Sequence, residues 1–349
     1  MKSVATLSKA FMRVDRNLKA SIVDINPKLS TTIAVVGCGN IGSRLLQSLA
    51  KVSAKSFGCL NIHGIEPCEA SQKVSTQRFF DENSNGHNLM MHSDWAKVPS
   101  KIDLLIVSVD ARNRLAALTS ALEHASVKHT LLEKTLFIKK CEFDQADKLL
   151  KLANTTTWVN CSRNVWPGYN WLKKEIMAHG PLTNFRVTGS DWNMASNSIH
   201  FLSALEFISG KIISEISFEP ENIKVRKAKR KGYYELTGKM EGYLSNGMKF
   251  EFQSRIEKGQ AIIINASLGQ RIYKIHESSE IVTISPNKEM PFGMLHASQL
   301  NEMFETILSK ATCSLPNYSQ STRLHMLLFK ALKEHIGQDT NEGFVYPIT

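Results

Sequence analysis

Three glycines at positions 37, 39 and 42 carry the clearest chemical signal in the sequence. They follow a short β-branched run, IAVV, and precede an apolar segment with helical spacing, IGSRLLQSLAKV. In this order, Gly37 permits a tight turn, Gly39 lets a pyrophosphate approach the backbone, and Gly42 lets helix and strand pack closely. The start of the helix then faces the phosphates. The pattern predicts a dinucleotide site, which also includes Asn40 and Ile41.

Glu66 supplies the acidic residue that such a site needs at the end of the next strand. It follows the strand-like run CLNIHGI, and Pro67 stops the strand. A carboxylate in this place can hold the hydroxyls of the adenosine ribose. Because it would repel a ribose 2′-phosphate, it favours NAD, whereas Ser71, Gln72 and Lys73 keep NADP open. The structural alternative is a solvated glutamate in a loop.

Two further strand ends carry charged residues. Asp110 ends the buried-looking strand DLLIVSVD, and Glu133 and Lys134 end the strand HTLLEK. Strand ends in a doubly wound sheet line the cofactor crevice. We therefore expect Asp110 to border the nicotinamide half of the site, with Glu133 and Lys134 reaching the same crevice.

Strands and helices alternate over about 120 residues from the glycine motif onward, which predicts a parallel sheet with right-handed crossovers. Beyond Thr155 the pattern changes, and from Ile212 to Ile284 alternating strands follow one another between turn signals. We predict an α/β protein with two domains. Residues 29–154 form a Rossmann-type, doubly wound parallel sheet. Residues 155–349 form an α+β domain with a large, open, mostly antiparallel sheet and a closing helix at 319–336.

The 28 residues before the first domain form an N-terminal extension with an apolar helical stripe. We expect it to pack against the body of the protein or against a partner subunit. The open sheet predicts self-association as well, since an antiparallel sheet with one apolar face needs cover. The expected assembly is a homodimer or homotetramer.

The chain has 349 residues and a formal net charge of +11. Its basic residues are dispersed, which argues against nucleic acid as a partner. The one dense run is KVRKAKRK, from Lys224 to Lys231. Lysines that protect a strand edge explain it in structural terms. Attraction of an anionic, phosphate-bearing substrate explains it in functional terms.

Six cysteines show no C-x-x-C spacing and no spacing typical of metal ligands, so we predict reduced thiols and no metal site. No apolar run approaches the ~18–20 residues that cross a membrane, and the N-terminus lacks the apolar stretch of a signal peptide. We therefore expect a cytoplasmic protein without a membrane partner.

From Thr31 onward, the order of three segments resembles the glucose-fructose oxidoreductase / inositol dehydrogenase (Gfo/Idh/MocA) family. The segments are the glycine motif, LLEKTLFIKKCEFDQADKLLKLA at 131–153 and SNSIHFLSALEFISG at 196–210. The C-terminal LPNYSQSTRLHMLLFKAL also resembles the closing helix of members that act on sugars of surface polysaccharides. The resemblance implies hydride transfer between NAD(P) and a carbon bearing a sugar or polyol hydroxyl.

The resemblance also implies roles for individual residues. Lys134 matches the lysine of a Glu-Lys-Pro motif, whose ammonium would stabilise a developing alkoxide. His200 matches the histidine that takes or returns the hydroxyl proton, which suits an imidazole. The family's aspartate, one helical turn before the histidine, is Ser196 here. The proline of the motif is Thr135.

Five residues of the second domain are candidates for substrate contact or support of the histidine. Ser196 can hydrogen-bond the histidine ring but supplies no charge, so Asn197 or Asp191 would have to substitute for the aspartate. Arg163 could grip a carboxylate or phosphate with its planar fork, or form a salt bridge between the domains. Trp192 could stack on a sugar ring or pack in the core.

The sequence thus predicts an oxidoreductase acting on a sugar or nucleotide-activated sugar in surface glycan biosynthesis. An alternative is a dinucleotide-binding regulatory or assembly protein that has lost turnover, which the changes at Ser196 and Thr135 favour. S-adenosylmethionine-dependent methyl transfer also uses a glycine loop and an acidic strand end. It gives no role to Lys134 or His200 and therefore ranks last.

Overall fold

The structure is a computed structural model. It describes residues 31–219, 223–257, 259–340 and 343–349. The N-terminal extension of residues 1–28 lies outside the described residues. Within the described ranges, no helix combines the length and the apolar character that crossing a membrane requires.

The first half forms a six-stranded sheet in the order β3-β2-β1-β4-β5-β6. Every pair in it is parallel. The strands are β1 (Thr32–Val36), β2 (Asn61–Ile65), β3 (Asn88–His92), β4 (Lys101–Val107), β5 (Ser126–Leu132) and β6 (Thr156–Val159). The helices are α1 (Asn40–Ala50), α2 (Ala54–Phe57), α3 (Glu69–Phe80), α4 (Arg114–His124) and α5 (Lys140–Leu152). The predicted doubly wound parallel sheet is confirmed.

Two strands of this sheet differ from the sequence-based picture. Strand β3 directly follows a polar stretch, and none of its residues is fully buried, so its sequence lacks the apolar pattern of a core strand. Strand β6 pairs with β5, although it follows the domain boundary expected at residue 154. The parallel sheet therefore continues to Val159.

The second half forms a nine-stranded sheet in the order β15-β14-β13-β12-β7-β11-β10-β8, with β9 paired to β10. Only the pair between β7 and β11 is parallel. Its elements are α6 (Pro167–His179), β7 (Asn184–Ser190), α7 (Met194–Ser209), β8 (Ile213–Phe218), β9 (Lys224–Lys227), β10 (Tyr234–Leu244), β11 (Lys249–Arg255), β12 (Ile263–Leu268), β13 (Arg271–His276), β14 (Ile281–Ile284) and β15 (Lys288–Pro291). The predicted mostly antiparallel sheet is confirmed, with β7 and β15 as additional strands.

The two C-terminal helices pack against different sheets. They are α8 (Asn301–Lys310) and α9 (Tyr318–Ile336), and the hairpin of β16 (Gln338–Thr340) and β17 (Gly343–Val345) follows. Phe304 and Ile307 of α8 join the core around Leu45 and Leu49 of α1, on the parallel sheet. Helices α7 and α9 instead contact β8, β10 and β11 of the larger sheet.

The opposite face of the larger sheet carries a network of ion pairs. Lys239 pairs with Glu219 and, at 3.2 Å, with Glu251. Lys249 pairs with Glu241 at 2.7 Å. The same face also exposes the apolar side chains of Tyr243, Ile272 and Ile281. On the other face, α7 and α9 of the same chain cover β8, β10 and β11.

Candidate dinucleotide and catalytic site

The turn after β1 needs its glycines for steric reasons. Gly37 has a φ of +83°, and a Cβ there would lie 2.8 Å from the backbone nitrogen of Val109. A Cβ on Gly42 would overlap the carbonyl oxygen of Gly37. At Gly39, by contrast, no heavy atom lies within 4 Å of an added Cβ. The turn therefore packs tightly on the protein side and opens at Gly39.

Helix α1 begins in this open region. No side chain caps its first turn, so its N–H groups remain available to an anion. Asn40 and Ile41 are exposed, and Ile41 leaves 45% of its surface in contact with solvent. These features fit the pyrophosphate and adjacent ribose of a dinucleotide.

Glu66 follows β2 and joins the glycine turn to the start of α3. Its carboxylate accepts hydrogen bonds from the backbone N–H of Cys38 at 2.9 Å and of Cys68 at 3.0 Å. Each carboxylate oxygen has a further lone-pair direction for a ribose hydroxyl. Asp110 lies three residues beyond the end of β4, where its side chain accepts bonds from the N–H groups of Arg112 and Asn113. It therefore lies in a loop and not at the end of the strand, where we expected it.

Lys134 lies just beyond the end of β5, at the same edge of the parallel sheet as the glycine turn. The peptide bond between Lys134 and Thr135 is cis. The ammonium donates hydrogen bonds to the carbonyl oxygen of Ser196 at 3.3 Å and to Oδ1 of Asn197 at 3.5 Å. Burial lowers the pKa of Lys134, and nearby carboxylates partly oppose this shift. These long contacts leave the ammonium able to bind a ligand oxygen.

Two buried side chains that the sequence did not single out fix the loop around Lys134. Arg114, from α4, donates hydrogen bonds to the carbonyl oxygens of Thr135 and Leu136. His325, from α9, accepts a hydrogen bond at Nε2 from the N–H of Leu136 at 3.1 Å. Its Nδ1 donates to the carbonyl oxygen of Ser321 at 2.7 Å, which defines the neutral tautomer.

Glu133 is buried beneath this loop and does not line the open crevice. Its carboxylate accepts a hydrogen bond from the side-chain amide of Asn160, and burial raises its pKa. We expected Glu133 to bind the cofactor. In the structure, Glu133 instead lies beside the backbone of Lys134, where its carboxylate contributes negative charge.

His200 lies on α7 and is half-buried. Its Nδ1 is buried without a hydrogen-bond partner. Burial lowers the pKa of His200 well below its usual value, and the positive charges of Lys134 and Arg163 lower it further. The imidazole is therefore neutral at neutral pH, which is the form that accepts a proton.

Ser196, one turn before His200, bonds a carboxylate from another element. Its hydroxyl donates a short hydrogen bond to Oε1 of Glu235, and its backbone N–H donates to Oε2 at 3.3 Å. Glu235 lies on β10 and is only 4% exposed. We expected Ser196 to bond the histidine ring, with Asn197 or Asp191 as a substitute for the missing aspartate. The structure brings in Glu235 instead.

Two proposed substrate residues belong to the protein interior. Arg163 forms a bidentate ion pair with Glu277, at 2.8 and 2.6 Å. Both residues lie beyond residue 155, so the pair does not join the two predicted domains, and both side chains are largely buried. Trp192 is 5% exposed, and its Nε1 donates to the carbonyl oxygen of Gln253 at 2.9 Å. Its ring makes an edge contact with Phe201, which favours packing in the core, the structural alternative.

The basic run forms β9 and the turn before β10, at the border of the crevice. Arg226 binds Asp191 at 2.6 Å, just before α7. Arg112, from the loop after β4, donates to the carbonyl oxygen of Gly232 at 2.5 Å and covers the ring of Tyr233. The lysines of this hairpin are exposed: Lys224, Lys227, Lys229 and Lys231.

Sequence reasoning missed Glu235, Arg114 and His325 for similar reasons. Glu235 lies in a stretch of β10 in which residues 235–238 are all buried, so an in–out alternation of strand residues does not identify it. Arg114 and His325 lie within helical segments whose polar residues are otherwise typical of solvent-facing positions. Their partners are backbone atoms of the Lys134 loop, which have no signature in the sequence.

Known structures share this architecture at low sequence identity. A UDP-N-acetylglucosamine 3-dehydrogenase, GnnA, from Acidithiobacillus ferrooxidans matches with a TM-score of 0.67 and 14% identity, covering 87% of this chain and 97% of that chain. A super-repressor mutant of Gal80p from Saccharomyces cerevisiae matches with a TM-score of 0.64 and 14% identity, covering 87% and 95%. A scyllo-inositol dehydrogenase from Lactobacillus casei, with bound NAD(H) and scyllo-inositol, has a TM-score of 0.61, 13% identity and coverages of 87% and 97%.

No protein family model and no curated protein matches this sequence. At 14% identity or less, the likeness of these three structures concerns the fold. That fold, a Rossmann-like parallel sheet followed by a larger mixed sheet, is the one that the resemblance implied.

Proposed function

We propose that this chain, which has the fold of the Gfo/Idh/MocA-type oxidoreductases, is an NAD(P)-dependent oxidoreductase acting on a carbon that bears a hydroxyl. One observation carries the proposal: Lys134, at the sheet edge that also holds the glycine turn, donates hydrogen bonds to Ser196 at 3.3 Å and Asn197 at 3.5 Å on α7, the helix that carries His200. The lowering of the pKa of His200 by the charge of Lys134 supports the same pairing.

Oxidation of a CH–OH group removes a hydride from carbon and a proton from oxygen. A bound nicotinamide dinucleotide supplies the chemistry that takes the hydride. In our proposal, the ammonium of Lys134 donates a hydrogen bond to the reacting oxygen and stabilises the developing alkoxide. His200 receives the proton through Nε2, since Nδ1 is buried. The reverse reaction returns the same proton.

For the cofactor we favour NAD over NADP. The carboxylate of Glu66 is fixed by two backbone N–H groups beside the glycine turn. A fixed negative charge at the adenosine ribose disfavours a 2′-phosphate. The scyllo-inositol dehydrogenase with a similar fold carries NAD(H), whereas a biliverdin reductase from Synechocystis sp. with a similar fold carries NADP+, so the preference rests on Glu66.

For the substrate we propose a sugar or a nucleotide sugar, used in surface glycan biosynthesis in the cytoplasm. GnnA, with a similar fold, is named as a dehydrogenase of UDP-N-acetylglucosamine. Four exposed lysines lie on the β9–β10 hairpin: Lys224, Lys227, Lys229 and Lys231. Arg112 contacts this hairpin at Gly232, and Arg226 of the hairpin pairs with Asp191 near the start of α7. Such a surface favours a ligand that carries phosphate.

A second candidate is a dinucleotide-binding regulator without turnover. The serine at position 196 and the threonine at position 135 depart from the pattern of the catalytic residues in the resembling family. A protein described as a super-repressor mutant also has this fold. This candidate predicts cofactor binding without hydride transfer.

The experiment that tests the proposal starts with purified protein and fluorescence titration of NADH and NADPH. We expect binding of NADH to be tighter than binding of NADPH. Absorbance of the reduced cofactor is then followed with free sugars, inositols, sugar phosphates and nucleotide sugars. Turnover that Lys134→Met and His200→Gln abolish supports the enzyme. Binding without turnover on any of these substrates supports the regulator, and absence of binding contradicts both.

Self-association is a separate part of the proposal. We propose a homodimer or homotetramer formed through the open face of the larger sheet, and its ion-pair network would then become an interface. Light scattering of the purified chain measures the mass directly. Charge reversal by Lys239→Glu should dissociate the assembly, and a monomer at all concentrations would contradict this arrangement.

A further inference from the structure

Glu235 is a buried carboxylate that neither the sequence pattern nor the proposed chemistry accounts for. It lies on β10, is 4% exposed, and has its strongest contact with the hydroxyl of Ser196 on α7. A buried carboxylate without compensation costs several kcal/mol of folding free energy, so its retention needs a reason.

Two positive groups interact with Glu235, Lys134 and Arg226, and Lys134 is the one that shares a hydrogen-bonded residue with it. Both oxygens of Glu235 bind Ser196, and the carbonyl oxygen of the same serine accepts a hydrogen bond from Lys134. Ser196 therefore lies between a buried carboxylate and a buried ammonium. The charge of Glu235 raises the pKa of Lys134 against the effect of burial.

We propose that Glu235 is a positioning residue of this site, supplying from the sheet the negative charge that helix position 196 lacks and thereby keeping the proton on Lys134. The inference rests on the proposed function, because it concerns how the same site works. The hydrogen bonds between Ser196 and Glu235 then connect the carboxylate on β10 to α7, the helix that carries His200.

Lys134 is surrounded by charged and titratable groups from several elements, and Glu235 has to act among them. Glu133 precedes Lys134 and, like Glu235, favours the ammonium. The remaining groups are Arg114 from α4, Cys161 after β6, His200 from α7 and His325 from α9. Arg114 disfavours the ammonium, and both histidines are neutral, so the two carboxylates provide the main compensation.

Removing the charge of Glu235 should make Lys134 lose its proton at lower pH. An opposite charge within about 4–6 Å shifts a pKa by about one to three units, and a more distant charge shifts it less. In Glu235→Gln, the midpoint of Lys134 deprotonation should therefore fall measurably, by up to about one pH unit. Since the proposed reaction needs the ammonium, the basic limb of the kcat profile should move to lower pH by the same amount.

The first measurement does not depend on turnover. The full chain is acetylated with acetic anhydride over a range of pH, and mass spectrometry quantifies the peptide that contains Lys134. The wild type and Glu235→Gln are compared, with Glu206→Gln as the matched control. Glu206 lies on α7 and pairs with Arg323, so its variant should lose stability without moving the midpoint of Lys134.

A second variant moves the carboxylate to the helix. In the double variant Ser196→Asp, Glu235→Gln, the carboxylate stands at position 196 and the net charge equals that of the wild type. We expect this protein to recover the wild-type midpoint and basic limb. If Glu235→Gln alone does not fold, the comparison of the double variant with the wild type still tests the inference.

An unchanged midpoint in folded Glu235→Gln overturns the inference, and so does a low midpoint in the folded double variant. A shifted midpoint that the double variant restores supports it. If the midpoint shifts in this way but no sugar is turned over, the proposed function fails while the coupling between Glu235 and Lys134 stands.

Discussion

Two buried groups of charged residues contact the helix α7, and they are built differently. The closed cluster consists of Arg163, Glu277 and Tyr169. In it, two nitrogens of Arg163 bind the two oxygens of Glu277, and Tyr169 donates to the same carboxylate at 3.0 Å. The guanidinium also lies 4.0 Å from the ring centre of Phe201. Its charges are balanced and its hydrogen-bonding groups are used.

The open cluster consists of Lys134, Glu235 and Ser196, with Glu133 beneath it. Here the ammonium makes contacts of 3.3 and 3.5 Å to a carbonyl and an amide, and no carboxylate binds it directly. Two acids therefore compensate one base at a distance. Buried pairs that satisfy each other serve structure, whereas a buried charge held loosely remains available to a ligand.

The largest effect should come from breaking the closed cluster. Glu277→Gln leaves the guanidinium of Arg163 buried without its partner, which should cost about 3–5 kcal/mol of unfolding free energy. Urea denaturation measures this directly. Replacing both partners, as Arg163→Met with Glu277→Leu, should recover much of the loss, because an apolar pair has no charge to desolvate. A loss below about 1 kcal/mol in Glu277→Gln, the size found for exposed pairs, would contradict the comparison.

The next effect should be mainly on turnover. Lys134→Met removes the proposed donor to the reacting oxygen, and kcat should fall about 10²–10³-fold. Stability should fall, because the buried carboxylates of Glu133 and Glu235 lose a nearby positive charge, but by less than in Glu277→Gln, because Lys134 has no carboxylate in direct contact among the described residues. Steady-state kinetics and thermal unfolding measure the two quantities, and NADH titration controls for cofactor binding. Unchanged kcat would remove Lys134 from the mechanism.

The third effect concerns His325, which holds the Lys134 loop. Burial lowers its pKa to about 4, whereas an unfolded histidine titrates near 6.5. The unfolded chain therefore binds the proton first, and stability should fall as the pH drops from about 6.5 towards 4, by up to about 3 kcal/mol. Urea unfolding at several pH values measures the slope.

His325→Asn provides the control for this slope. The variant lacks the titrating ring, so its stability should depend less on pH over the same interval, although other histidines still contribute. Equal slopes in both proteins would show that His325 is not responsible. At pH 7 the variant should also be less stable, because the N–H of Leu136 loses its acceptor.

The contrast between the clusters also explains what the sequence could predict. The glycine turn, the parallel sheet and the position of Lys134 follow from local order along the chain, because strand ends at one sheet edge converge. His200 lies on a helix, and only the family resemblance singled it out. Arg163 carries a sequence signal as well, but its partner Glu277 lies 114 residues away. Only the packed structure distinguishes a substrate-binding arginine from a closed ion pair.

Glu235 could not be predicted for a related reason. Local spacing directs attention to the helix before His200, where Ser196 lacks a charge, and to its neighbours Asn197 and Asp191. The carboxylate that bonds Ser196 belongs to Glu235, on a strand 39 residues later in the chain. Strand β10 is buried on consecutive positions there, so neither the periodicity nor the residue type reveals the contact.

The smallest effects should distinguish the clusters most directly, because one hydroxyl is removed from each. Tyr169→Phe and Ser196→Ala each take one hydrogen bond from a buried carboxylate. The first should cost about 1–3 kcal/mol of stability and leave the pH profile of kcat unchanged. The second should lower stability less, since Glu235 keeps the backbone N–H of residue 196, but should alter the basic limb of the profile. If Tyr169→Phe moves the profile and Ser196→Ala does not, the assignment of structure to one cluster and chemistry to the other is reversed.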